Sequence, residues 1–293
     1  MTRAHGRLPL SVGWWQSRHL QDTLARVIVF LVLLAGSITY LIPLGWMFST
    51  ALKTDQQVYL INSGWIPNPV VWENFVKAVT QFPFLLYLRN SVITSVIPVI
   101  GTLLSSTMVA YAFARVNWPG RGLMFMLLVS TLMLPGQVTM IPVYVIWSRL
   151  GATNTFLPLV LPSFFAGAWN VFLIRQFLRG IPMDLSDAAI IDGCTHLGIL
   201  WRIMIPLSKP VLATIAVLHF MGHWNDLFGP VLYLSDSNLY TLMIGLTYFR
   251  TEYRTSWQYL MAASLVVLMP SIIIFFMGQR YFVQGITLTG IKG

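Results

Sequence analysis

The stretch Pro182-Met-Asp184-Leu-Ser-Asp187-Ala188-Ala189-Ile-Ile-Asp192-Gly193 carries three carboxylates between two long apolar segments, residues 156–178 and 208–230. It continues through Cys194 and His196 to Ile203-Met-Ile205-Pro206. The flanking segments are apolar enough to lie in lipid, whereas this one reads as a short helix, a glycine break and a second short helix. Pro182 ends what precedes it. Asp184 is placed as an N-cap, and Asp187, three residues on, is placed to reach back to the free amides. Acidic side chains in a first turn also suit the helix dipole. Gly193 stops the first helix, and the second, His196 to Met204, runs until Pro206 forces Ile205 out of helical geometry. A handful of residues would close a turn between two spans, so a connection of about 30 is kept for contact with something else.

Outward from this hairpin the chain is greasy throughout. It has 293 residues, 56% of them hydrophobic and 9% charged, with a mean hydropathy of +0.72, where a soluble domain carries roughly 25% charged residues. These values describe an all-α integral membrane protein with room for about six spans of ~20 residues. The spans read as approximately 26–48, 86–113, 121–146, 156–178, 208–230 and 258–281. An even number of crossings puts both termini on one side. With that side cytoplasmic, Lys53, Lys77, Arg89, Arg149, Arg250 and Arg254 fall outside and the other twelve of the 18 Lys and Arg fall at or near the inside. The net charge of +9 is therefore mostly topological, the positive-inside pattern, and no sign of nucleic-acid binding. The single cysteine, Cys194, can form no internal disulfide.

Residues 1–25 form a basic cytoplasmic segment whose Trp14-Trp15 pair suits the membrane interface. The first span is too long for a signal-peptide core and is expected to stay as an anchor, with Pro43 kinking it or ending it early. The outer connection, Lys53 to Arg89, reads as a turn at Gly64 to Pro69 followed by a short interfacial helix from Trp72 to Val79. Pro135-Gly136 breaks the third span near the outer surface, and Pro158 and Pro162 disturb the start of the fourth. Backbone groups freed at such breaks must be satisfied by neighbouring helices or a watery cavity, which favours a bundle lining a path over a simple anchor.

The spacing Asp187-Ala188-Ala189, Asp192-Gly193, Ile203-Met-Ile205-Pro206 resembles the EAA loop of ABC-importer permeases, where a Glu-Ala-Ala, a Gly and an Ile-x-Leu-Pro occupy these places. His223-Trp224-Asn225-Asp226, Leu239-Tyr240-Thr241-Leu242 and the ending Gly285 to Gly293, with Gly290 and Lys292, are similar to the carbohydrate-uptake branch and its MalG-like subunits. The likeness runs from the second span to the last residue. Asp187 stands for the usual Glu, Cys194 for the usual Ala and Ile205 for the usual Leu. The resemblance implies one transmembrane permease domain over residues 26–283, with a coupling hairpin at 182–206 in a cleft of a separate ATPase subunit. It also implies a cytoplasmic tail, 284–293, against the same subunits. Further implied partners are a homologous second permease chain, a second ATPase subunit, an extracytoplasmic binding protein and a sugar or oligosaccharide. The location implied is a bacterial or archaeal inner membrane. The chain's length and look also resemble permeases for acidic oligosaccharides such as alginate fragments.

The remaining constellations are weaker. Gly285 to Lys292 mimics a P-loop but has one residue too many before the lysine and lacks the following Ser or Thr. ATP and Mg2+ are therefore expected in partner subunits, with no cofactor on this chain. His219 and His223 could face one way, but no third metal ligand accompanies them. A carboxylate at membrane depth is costly and faces a bundle interior or water, so Asn170, His219, His223, Trp224, Asn225 and Asp226 are candidates to line a path. Asp226 also reads as a helix cap just outside the hydrocarbon. No acid pair or nucleophile arrangement marks an enzyme. An ion-gradient-driven carrier and a receptor-like protein without transport are the rival readings.

Overall fold

The computed structural model describes residues 18–60, 63–250 and 255–287, with side chains from 21 to 281 in those ranges. Among these residues no strand forms beyond an isolated bridge between Arg250 and Thr255. The chain begins with α1 (Arg18–Ala51), a short α2 (Asp55–Tyr59), α3 (Glu73–Thr80) and the long α4 (Phe84–Arg115). The third apolar segment is α5 (Arg121–Ser130), a 3-10 turn and α6 (Gly136–Arg149). Its two halves are bent by 98° at Leu134-Pro135. The fourth is α7 (Leu157–Val160), a 3-10 turn over Leu161–Phe164 and α8 (Ala168–Gly180). The hairpin consists of α9 (Asp184–Ile191), α10 (His196–Ile199), a π turn (Leu200–Met204) and α11 (Ile205–Leu207). The rest is α12 (Lys209–Trp224), α13 (Phe228–Tyr233), α14 (Leu242–Thr247) and α15 (Trp257–Thr287).

Four of these segments are long and apolar enough to cross a membrane, or up to six if each bent pair is one span. Pro43 does not end the first of them: α1 runs eight residues past it to Ala51. One missing backbone bond is a small loss in a helix of 34 residues, and prolines lie inside α4, α6 and α15 as well. The fifth segment is shorter than its apolar run. α12 stops at Trp224, and α13 follows as a separate helix after Asn225, Asp226 and Leu227.

α4 is the axis of the bundle, packed against α8, α12 and α14. Its first half meets a core of Phe82, Tyr87, Phe220, Trp224, Leu242, Phe249 and Val267. Its last turns meet a second core of Ala110, Tyr111, Phe113, Ile174, Leu178, Ile199, Met204 and Ile215. Between them α4 buries small residues, among them Ser95, Thr102 and Ser106, which let helices approach closely where lipid offers no hydrophobic driving force. At Gly101 a side chain would collide with the Phe164 ring. By contrast, no residue in the most apolar stretch of α1 is buried.

Candidate functional site

Two features stand out, the hairpin and a polar groove at the far end of α12. In the hairpin, α9 exposes Asp184, Asp187, Ala188 and Ile191, positions that share one face at helical spacing. Ser186 and Ala189 turn inward and are buried. The expected cap is not formed: Met183 holds the N-cap position without a side-chain bond, and Asp184 is already the first helical residue. Met183 takes that place because its carbonyl accepts the first amides, those of Ser186 at 2.7 Å and Asp187 at 3.1 Å. The two aspartates instead sit in the positive first turn. At the other end the glycine reading holds. Gly193 has φ +80°, its amide donates to Ile190 and the Cys194 amide donates to Ala189. This bond pair is the Schellman closure of a helix, which favours glycine at the left-handed position.

The second arm differs from expectation at Pro206. Ile205 stays helical, with φ −61° and ψ −48°, and Pro206 opens the next helical turn. The π turn just before it changes the hydrogen-bond register, so the ring does not have to fit an α-helical ladder. Thr195 caps α10 by accepting from the Gly198 amide at 3.2 Å.

What fixes the hairpin to the bundle is a residue that sequence reading counted only as a base. Arg115, in the last turn of α4, is 6% exposed. Its guanidinium donates to the carbonyls of Leu178, Ile181 and Pro182 and approaches the Ser186 hydroxyl at 3.5 Å. One planar fork thus satisfies the Ile181 and Pro182 carbonyls just past α8, adds a second donor to Leu178 beside the Ile181 amide, and reaches the first turn of α9. A second tie joins the Tyr111 hydroxyl to His196 Nδ1 at 3.2 Å. The surface left outside carries large apolar side chains, with Ile191 85%, Leu197 60% and Trp201 51% exposed, beside the exposed Asp184, Asp187 and Asp192. The position of Arg115 ahead of a Pro-Gly turn was the only sequence signal for this role.

The groove consists of three adjoining cavities that share Asp226. The first, of about 400 Å3, is lined by Trp169, Asn170, His219, His223 and Asp226 among others. The second, about 450 Å3, reaches Gln137, Thr139 and Tyr233. The third, about 250 Å3, reaches Thr94 and Ser163. His219 Nε2 lies 2.9 Å from Asn170 Oδ1, and the His219 and His223 rings are 6.0 Å apart. Asp226 Oδ1 accepts from the Gly229 amide at 3.1 Å, so the residue lines the groove and starts the turn into α13 together. Trp224 is a correction: it is 3% exposed, donates to the Val267 carbonyl at 2.9 Å and packs in the core, away from the groove. Asn225 is exposed and bonds back to Met221 without lining any of the three cavities. Arg175 is likewise occupied elsewhere, donating to Phe113 at 3.2 Å over the Phe125 ring. Gly290 and Lys292 lie outside the described residues. A larger cavity of about 540 Å3 between α1, α3 and α15 has an apolar lining and offers a polar solute no hydrogen-bonding side chain.

Residues 101–288 match the family described as "Binding-protein-dependent transport system inner membrane component". The arabinooligosaccharides transport system permease protein AraQ of Halalkalibacterium halodurans is 37% identical over 78% of this chain and 81% of its own. The probable ABC transporter permease protein YurM of Bacillus subtilis is 35% identical over 94% and 90%. A chain from the crystal structure of a bacterial ABC transporter that imports the acidic polysaccharide alginate superposes with a TM-score of 0.78. It is 23% identical, and the match covers 91% of this chain and 98% of that one. This chain belongs to the family of inner membrane components of binding-protein-dependent transport systems, as an ABC-transporter permease subunit of the bacterial inner membrane rather than an enzyme.

Proposed function

We propose that this chain is the transmembrane subunit of an ATP-driven importer of sugars or oligosaccharides, crossing the membrane six times with both termini in the cytoplasm. The observation that carries the reading is the hairpin. Its outer face exposes Ile191, Leu197 and Trp201 beside Asp184, Asp187 and Asp192, its helix is closed by Gly193, and Arg115 and Tyr111 bind it to α4 from behind. A rigidly backed face of this kind, apolar and acidic together, fits a cleft in an ATPase subunit, with Asp184, Asp187, Ala188, Asp192 and Gly193 at the contact, Ala189 buried behind it rather than at the contact, and Pro206 setting the return into α12. ATP and Mg2+ belong to a pair of such subunits. A homologous permease chain completes the path, a binding protein outside delivers the sugar, and Gly290 and Lys292 in the tail contact the ATPases. The groove from Asn170 to Asp226 is this chain's part of the path.

One observation favours an ion-gradient carrier instead: two histidines and an aspartate line one polar cavity. Gentle extraction and crosslinking separates the two readings. Recovery of a second permease and an ATPase, both lost when residues 187–193 are altered, together with uptake that stops on ATP depletion, supports the importer. A chain that purifies alone, with uptake that follows a clamped ion gradient, overturns it.

A further inference from the structure

The groove has a charge character that names its substrate class. Asp226 borders all three cavities and is the only charged side chain on their walls among the described residues. Arg175, the nearest base in sequence to Asn170, is bound to Phe113 and Phe125 instead. One Asp226 oxygen takes the Gly229 amide. The other, Oδ2, makes no hydrogen bond within the described residues. It lies on the Gly229 side, where an added Cβ would come within 2.5 Å of it. An ionised carboxylate oxygen can only accept. A solute hydroxyl can satisfy it, while a carboxylate, phosphate or sulfate brought beside it meets like charge.

The rest of the wall consists of groups that both give and take hydrogen bonds, namely Asn170, Gln137, Thr139 and the imidazoles of His219 and His223. Aromatic faces are present too: Trp169 is 55% exposed on one rim, and Tyr233 on another is stacked on Tyr144 at 5.8 Å. Such a set matches a flexible polyhydroxyl solute whose ring faces are apolar. It supplies no lysine or arginine to neutralise an acidic one, in surroundings where an unpaired charge is costly.

We infer that this half of the path is built for neutral sugars or oligosaccharides and rejects uronates, sugar phosphates and sulfonated sugars, with Asp226 as the specificity-determining residue. The inference rests on the permease reading above. The test is ATP-driven uptake by the whole importer, reconstituted with its partner permease, ATPases and binding protein. The probes are labelled mixtures of neutral mono- to tetrasaccharides, of uronate oligosaccharides of the same lengths, and glycerol 3-phosphate. The neutral mixture is expected to enter at least about tenfold faster than either anionic probe. Asp226→Asn, which keeps the shape, should narrow that gap several-fold, and Asp226→Lys should remove or invert it. Faster entry of an anionic probe, or an unchanged gap in both variants, overturns the inference and leaves the importer reading standing. ATP-independent uptake of every probe, or none at all, overturns both.

Discussion

The Arg115 guanidinium at the end of α4 donates to the Ile181 carbonyl at 2.6 Å, 66 residues away in the chain. With Leu178 and Pro182 bound to the same fork, the bond ties the end of α4 to the base of the hairpin. Under the importer reading proposed above, a load on α9 would pass through this tie into the central helix of the bundle.

Arg115→Ala should leave the Ile181 and Pro182 carbonyls without their donor, while Leu178 keeps the Ile181 amide, and cost about 2–3 kcal/mol locally. The expected result is faster proteolytic cleavage between residues 178 and 196 and ATP hydrolysis no longer tied to uptake. Arg115→Lys keeps the charge but has no planar fork, so it should restore part of the protection and less of the coupling. Wild-type coupling in the alanine variant would exclude the relay.

Gly193 has open space around its missing Cβ but a φ of +80°, so substitutions there act through the backbone. Leucine should cost about 1–2 kcal/mol and loosen the end of α9, whereas asparagine, which tolerates the left-handed region, should cost less. Thermal unfolding of the purified chain gives the ranking, and uptake by the assembled importer should fall in the same order. Equal effects of the two substitutions would argue for a direct contact rather than a backbone requirement.

A methyl group at Gly245 would lie 2.8 Å from Phe82 and 2.9 Å from Tyr87, both buried in the core around the start of α4. Neither ring has room to give way, so Gly245→Ala should destabilise by about 1–3 kcal/mol, read as a lowered unfolding temperature in detergent. Because the hairpin is built on the other core, its protease protection should be unchanged.

Lys53, just past α1, is 2% exposed. Its ammonium donates to Ser63 at 2.6 Å and lies 4.3 Å from the centre of the Trp46 ring. Burial holds its pKa below the ordinary lysine value of 10.5. The unfolded chain therefore binds more protons between that lowered value and 10.5, and stability contributed by this residue rises with pH across that window. Unfolding temperatures from about pH 8 upward should show a steeper increase in wild type than in Lys53→Met. Identical slopes would mean that the ammonium is solvated.

The hairpin shows how far local sequence reaches. Gly193, the short helices on either side and the short helix near Trp72 were legible because a glycine with positive φ, apolar spacing and proline breaks act within a few residues of themselves. The break at Pro135-Gly136 was legible for the same reason. The Asp184 cap was misread because several backbone partners compete for a first turn, and here Met183 took the position. Pro206 was misread because a π turn is a property of the surrounding packing.

Sequence alone determined that the chain is helical, lies in a membrane and presents a polar hairpin between two apolar segments, since hydropathy and turn chemistry are summed along the chain. The tertiary structure decided which side chains face inward. His223 lines the groove while its neighbour Trp224 is buried against Val267, a step of about 100° around one helix. Nothing in an all-apolar helix marks which face meets lipid, core or path. That choice is made only when α4, α8, α12 and α15 close on one another, as is the pairing of Arg115 with carbonyls more than 60 residues away.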